Sequence, residues 1–191
     1  MGGVRGRMNQ AVILDAARKI LDSGVFGDLT VDSMARRLKM SKSTLYKFFT
    51  SKEDVIQRLV FEACDITEME IDRTLTGGTV ELQLAEVIRV MGRFSGRLPR
   101  AVILELEETP ETCQERVRNT EKLIGDAITS LVQQGVANKA FKHTKPKLVR
   151  QALMASARDL TQSTARRGAN DYETAFAYLP DIFIPALKSA K

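Results

Sequence analysis

The sequence has no tryptophan, a single histidine and two cysteines. One histidine cannot build a usual zinc site, even with both cysteines, unless carboxylates complete it. His143 lies in a Lys/Phe-rich stretch after Gly135, with no nucleophile or carboxylate pattern around it. There is no glycine-rich phosphate loop and no HExxH string, so no enzyme, metal or cofactor is expected. Cys64 and Cys113 make neither a CxxC motif nor a disulfide framework. No run of about 18 apolar residues occurs, which predicts no membrane span. The opening Met1-Gly-Gly-Val-Arg-Gly-Arg lacks the apolar stretch of a secretory signal. A reducing, cytoplasmic setting is the expectation.

What is present is a helical composition. Hydrophobic residues make up 43% of 191, enough for a buried core. Helix formers are plentiful and alternating strand-like runs are not clustered, which predicts an all-α protein. Charge is unevenly placed. Residues 1–60 carry 11 Lys/Arg against 6 Asp/Glu, a surplus of five that equals the net charge of the whole chain. Between Asp32 and Glu53 stand Arg36, Arg37, Lys39, Lys42, Lys47 and Lys52, with no acid among them. Charge alone is ordinarily a solvated face; here its concentration suits a polyanionic partner.

Helical spacing predicts a first helix from about Asn9 to Asp22, with Ile13, Ala16, Ala17, Ile20 and Leu21 inward and Gly24 as its stop. Residues 1–8 read as a flexible leader whose Arg5 and Arg7 are weak candidates for a minor-groove arm. Thr30 caps a second helix ending near Leu38 or Lys39. Ser41 caps a third, about Lys42 to Phe48, anchored by Leu45, Phe48 and Phe49. Ser51 with Asp54 fits a capping box opening a long helix, about Lys52 to Leu75, with Val55, Ile56, Leu59, Val60, Ala63 and Ile66 inward. Thr76-Gly77-Gly78-Thr79 is the clearest later break. Further helices are predicted over 80–96, 99–107, 110–134, 145–167 and 171–189, and Pro180 and Pro185 must kink or divide the last.

Two short helices joined by a tight turn make a helix-turn-helix unit. Ala35, Leu38 and Leu45 supply the small or apolar packing face. Ser41, Lys42, Ser43 and Thr44 supply short polar and basic groups at the start of the second helix, where base edges are read. Tyr46, Lys47 and Lys52 are placed for phosphates.

The string from Thr30 to Val55 resembles the signature of the TetR family of transcriptional regulators. Thr30, Ala35, Ser41, Thr44-Leu45-Tyr46, Phe49 and Ser51-Lys52-Glu53 carry the likeness, which extends over about residues 9–60. The resemblance implies phosphate contacts from Thr30 and Lys52. It implies a major-groove role for Ser41 through Thr44, and a phosphate or thymine-methyl contact from Tyr46. Phe49 would lock the recognition helix in place. Three positions depart from the family pattern. Lys39 stands at the usual turn glycine, at a cost of about 1 kcal/mol if left-handed, and is placed near DNA. Ser43 replaces a second glycine. Lys47-Phe48 replaces an aromatic-histidine pair, moving a phosphate role to Lys47.

For the rest of the chain the resemblance implies an N-terminal three-helix head, residues 1–53, joined by a long helix to a helical regulatory and dimerisation domain, 54–191. It implies a homodimeric repressor of double-stranded operator DNA, released by a small-molecule effector. Leu148, Ala152, Ala155, Leu160, Phe176, Leu179 and Phe183 are candidates for the dimer face. Met91, Phe94, Ile103, Leu106, Val117, Ile124, Leu153 and Met154 are candidates for the ligand pocket, each more often plain core. With few aromatics and no tryptophan, an aliphatic or small ligand fits better than a large planar cation. The run Glu105, Glu107, Glu108 and Glu111 reads as a solvated loop beside a helix start. Action through a protein partner, or through oxidation of Cys64, are the alternatives.

Overall fold

The computed structural model describes residues 3–169 and 171–188, with side chains from Gln10 onward. All regular structure among them is helical. The head comprises α1 (Gly3–Ser23), α2 (Val31–Leu38) and α3 (Lys42–Leu45), followed by the start of α4 (Lys52–Thr74). Helix α1 begins six residues before the expected Asn9, so the segment read as a flexible leader is helical from Gly3. The side chains of Arg5 and Arg7 lie outside the described residues, as do Met1 and Gly2.

The caps explain why the head breaks where it does. Thr30 Oγ1 accepts the Ser33 N–H at 3.0 Å, and Ser33 Oγ accepts the Thr30 N–H at 2.9 Å, a reciprocal capping box. Helix α2 stops at Lys39, which is left-handed at φ 51°. Ser41 Oγ then accepts the Thr44 N–H at 3.1 Å and opens α3. Helix α3 is shorter than the expected 42–48. After Leu45 its bonds tighten to an i→i+3 pattern at Lys47 and Phe48, and the tighter turn carries Phe49 into the core. Ser51 caps α4 through the Asp54 N–H at 3.2 Å, but the Asp54 carboxylate returns to the Thr50 N–H at 3.1 Å, one residue earlier than in the expected box.

Helix α4 runs out of the head into the C-terminal bundle. Val55, Ile56, Leu59, Val60 and Ala63 point inward as expected, but Ile66 is exposed. Cys64, Thr67 and Ile71 continue the buried stripe, because α4 turns its next face to α5 (Val80–Arg97) and α7 (Glu111–Ala137). Two ionic clusters hold it there. Arg97 donates to Glu70 at 2.6 Å from α5. Arg116 of α7 donates to Asp65 at 2.5 Å and to Glu68 at 2.9 Å.

Helix α5 is the axis of the bundle, buried from Val80 through Ser95 on most of its surface. Helices α4 and α7, α8 (Pro146–Arg166), α9 (Tyr172–Ala177) and α10 (Leu179–Leu187) pack around it. The segment expected as one helix over 99–107 is divided into α6 (Arg100–Leu104) and a 3₁₀ turn, Leu106–Glu108, because Glu105 leaves helical geometry. The expected 171–189 helix divides at Tyr178. Pro180 then sits in the first turn of α10, where its missing N–H costs no helix bond. Gly92 lets α9 approach α5 closely: a Cβ there would lie 2.8 Å from that of Phe176.

Candidate nucleic-acid interface and ligand cavity

The head exposes a set of polar and basic residues. Thr30, Lys39, Ser41, Lys42, Ser43, Tyr46 and Lys47 are exposed, while Thr44 and Lys52 are half-buried. Their backbones come from one cap, one left-handed turn, one short helix and the start of α4, all within residues 30–52. The Ser41 and Thr44 hydroxyls lie 2.9 Å apart. Lys42 is not a free cation: its Nζ is 2.6 Å from Asp32 Oδ1, and that hydrogen bond pushes the lysine pKa up. Asp32 stands in the first turn of α2, and nothing in its spacing signals the pairing. Lys52 Nζ lies 5.2 Å above the Phe26 ring, which holds it beside the head's core.

In the C-terminal part, α5, α6, the 3₁₀ turn, α7 and α8 enclose a cavity of about 600 Å³. Met91, Phe94, Ile103, Leu106, Val117, Ile124 and Met154 line it; Leu153, fully buried on α8, does not. Glu105, Glu107, Glu108, Glu121, Arg118 and Arg158 also line it. Three residues of the acidic run therefore belong to the cavity wall rather than to a loop away from it. Most of the neutral polar groups are already satisfied. Ser95 and Thr161 hydroxyls lie 2.7 Å apart, and Gln162 Nε2 donates to the Ile103 carbonyl at 3.0 Å.

The wall also reaches the head. Glu105 Oε2 accepts the Phe26 N–H at 3.0 Å, and Asp22 Oδ1 of α1 accepts the Arg100 N–H at 3.0 Å from α6. Arg18 of α1 donates to the Arg97 carbonyl. Partners this far apart in sequence leave no mark in spacing or composition.

Residues 13–59 match the family model described as "Bacterial regulatory proteins, tetR family". That segment is similar to the N-terminal part of TetR-family regulators. The fold of the chain is similar to that of solved TetR-family regulators. FadR from Bacillus subtilis, solved with stearoyl-CoA, is 19% identical, with 94% of this chain and 97% of that one covered and a TM-score of 0.68. PfmR from Thermus thermophilus is 18% identical, with 93% and 96% covered and a TM-score of 0.73. AibR, solved with isovaleryl coenzyme A and operator DNA, is 15% identical, with 92% and 98% covered and a TM-score of 0.70. At these identities the likeness is one of fold. No curated protein matches the sequence.

Within this TetR-family fold, the candidate dimer residues separate into two groups. Leu148, Ala152 and Ala155 are exposed on α8, and Leu160 and Phe183 are half-buried. Phe176 and Leu179 are instead spent in the subunit's own core, Phe176 against Gly92. Tyr178 and Ile182, which periodicity did not single out, are exposed beside them in sequence. Both thiols are buried. Burial pushes Cys64 up and Cys113 to about 11, so neither offers the accessible thiolate an oxidation sensor needs. No helix among the described residues is long and apolar enough to cross a membrane.

Proposed function

We propose that the protein is a homodimeric, operator-binding transcriptional repressor released by a small molecule bound in the cavity of its C-terminal domain. The observation that carries this reading is the bond from the Phe26 N–H to the Glu105 carboxylate. One side chain lines the cavity and holds the backbone of the head, and the held residue carries Lys52, a phosphate candidate, on its ring. A ligand that shifts the α6 end shifts that grip. Release follows when the ligand binds the shifted state better than the operator-competent one.

Dimerisation fits the same reading. One short recognition helix reads only a few base pairs, whereas two on a twofold axis read a palindrome. The exposed apolar residues Leu148, Tyr178 and Ile182 give α8 and α10 a surface for a second copy. The FadR and AibR structures hold acyl-CoA ligands, which supports an apolar effector here without fixing its head group. Selection of bound DNA from a random pool with the purified protein tests the proposal. A palindromic consensus is expected; recovery of no preferred sequence overturns it.

A further inference from the structure

The cavity's apolar and charged groups are unequally provided for. Met91, Phe94, Val117, Ile124 and Met154 give it a hydrocarbon lining, and its volume of about 600 Å³ suits one small amphiphile. Phe94 is its one aromatic side chain, so a flat polycyclic ligand has little to stack on. Gln114 Nε2 donates to the Glu107 and Thr109 carbonyls at 3.1 and 3.0 Å. Together with the satisfied Ser95, Thr161, Gln162 and Glu105, this leaves few groups for a ligand to meet.

Glu121 of α7 is the exception among the half-buried lining groups. It is half-buried and accepts no hydrogen bond among the described residues. Its nearest cation is Arg158, whose Nη2 is 4.0 Å from Oε2 and whose side chain is 73% exposed. Burial pushes the Glu121 carboxyl up despite that neighbour. A hydrocarbon tail entering the cavity would strip more water from it, a costly step unless the ligand brings a donor. The remaining charge agrees: four glutamates line the cavity against two arginines, Arg118 and Arg158, both exposed.

We infer that the effector is an aliphatic amphiphile with an ammonium head, and that Glu121 receives the head. The inference rests on the cavity being the effector site. An ammonium supplies the charge-assisted hydrogen bond that Glu121 lacks. A carboxylate or phosphate head would meet a like charge instead.

Calorimetric titration of the intact protein with decylammonium, decanoate and decanoyl-CoA tests this, with operator release followed in parallel by fluorescence anisotropy. Decylammonium should bind at least about tenfold tighter than the other two. Glu121→Gln should erase that preference, and Arg158→Ala, which removes the competing cation, should strengthen it. Tighter binding of decanoate or decanoyl-CoA overturns the ammonium assignment, and if either releases operator the effector role stands without it. An amine affinity unchanged in Glu121→Gln, in a variant with the parent's circular dichroism, also overturns the assignment. Tight amine binding with operator still held overturns the effector role itself.

Discussion

Glu105 and Phe26, 79 positions apart in sequence, are joined by a single hydrogen bond of 3.0 Å from backbone amide to carboxylate. The bond links the cavity wall to the turn between α1 and α2. Its acceptor is a charged group, and loss of such a bond costs about 1.5 kcal/mol or more. Glu105→Ala is expected to lower stability by about that amount in urea unfolding. The more telling readout is release: the variant should need more ligand to leave its operator than the parent, because the wall no longer grips the head. An unchanged ligand dependence would show that coupling runs through the other contacts of α1 alone, Asp22 with α6 and Arg18 with the end of α5.

Lys39 sits at φ 51°, a left-handed position that favours glycine. Lys39→Gly is therefore expected to stabilise the head by about 1 kcal/mol, despite glycine's greater freedom in the unfolded chain. A rise in the thermal midpoint would show it. Operator affinity should move the other way, since an exposed cation on the edge proposed to meet DNA is lost.

The head was legible in the sequence because everything that builds it is local. Thr30, Ser41 and Ser51 announce their helices within three residues, and each side chain caps its helix, although the Asp54 return bond goes to Thr50 and not to Ser51. Seven of the eight pocket candidates line the cavity because they share the inner faces of α5, α6, the 3₁₀ turn, α7 and α8. What spacing does not reach is pairing across the chain. Glu105 with Phe26, Asp22 with Arg100, and Arg116 with Asp65 and Glu68 join residues more than 40 positions apart. The segment of α9 and α10 illustrates a second limit. Phe176 and Ile182 look alike as apolar residues near a proline, yet one fills the space above Gly92 and the other faces out.

The two kinds of head residue should separate in their salt dependence. Lys47→Ala and Lys52→Ala remove cations placed for phosphates. Each is expected to weaken binding to every sequence and to reduce the slope of log affinity against log salt by about one. Ser43→Ala and Thr44→Ala should leave the slope intact and change which bases are preferred. Equal slopes in all four variants would contradict this division.

Acid should loosen α4 from α7. The Arg116 hydrogen bond holds the Glu68 carboxyl below its usual range, outweighing burial, which pushes it up. A carboxyl lowered in the folded state adds stability above its unfolded pKa of about 4.3 and loses it as pH falls through the folded value. Glu68→Gln should cost about 1 kcal/mol at neutral pH and flatten the acid limb of a urea-midpoint profile below pH 5. Glu121 has the opposite sign. Its raised pKa means that protonation favours the folded state, so Glu121→Gln should stabilise the protein at neutral pH. A profile unchanged in Glu68→Gln would mean that the Arg116 cluster contributes nothing net.

Leu148 on α8 is 58% exposed, Ile182 on α10 is 62% exposed and Tyr178 just before α10 is 69% exposed. Large apolar side chains scattered singly need no explanation, but these lie on the two helices proposed as the dimer face. A charge buried at such a face without a partner costs several kcal/mol, whereas in a free subunit both sites are wet. Leu148→Glu with Ile182→Glu is therefore expected to halve the mass in sedimentation velocity while leaving helicity unchanged. Operator affinity should fall by orders of magnitude, because two linked heads act at high effective concentration on a palindrome and separate heads do not. A variant that sediments like the parent would move the interface elsewhere. A parent that is itself monomeric at micromolar concentration, yet binds a palindrome tightly, would place dimer formation on the DNA.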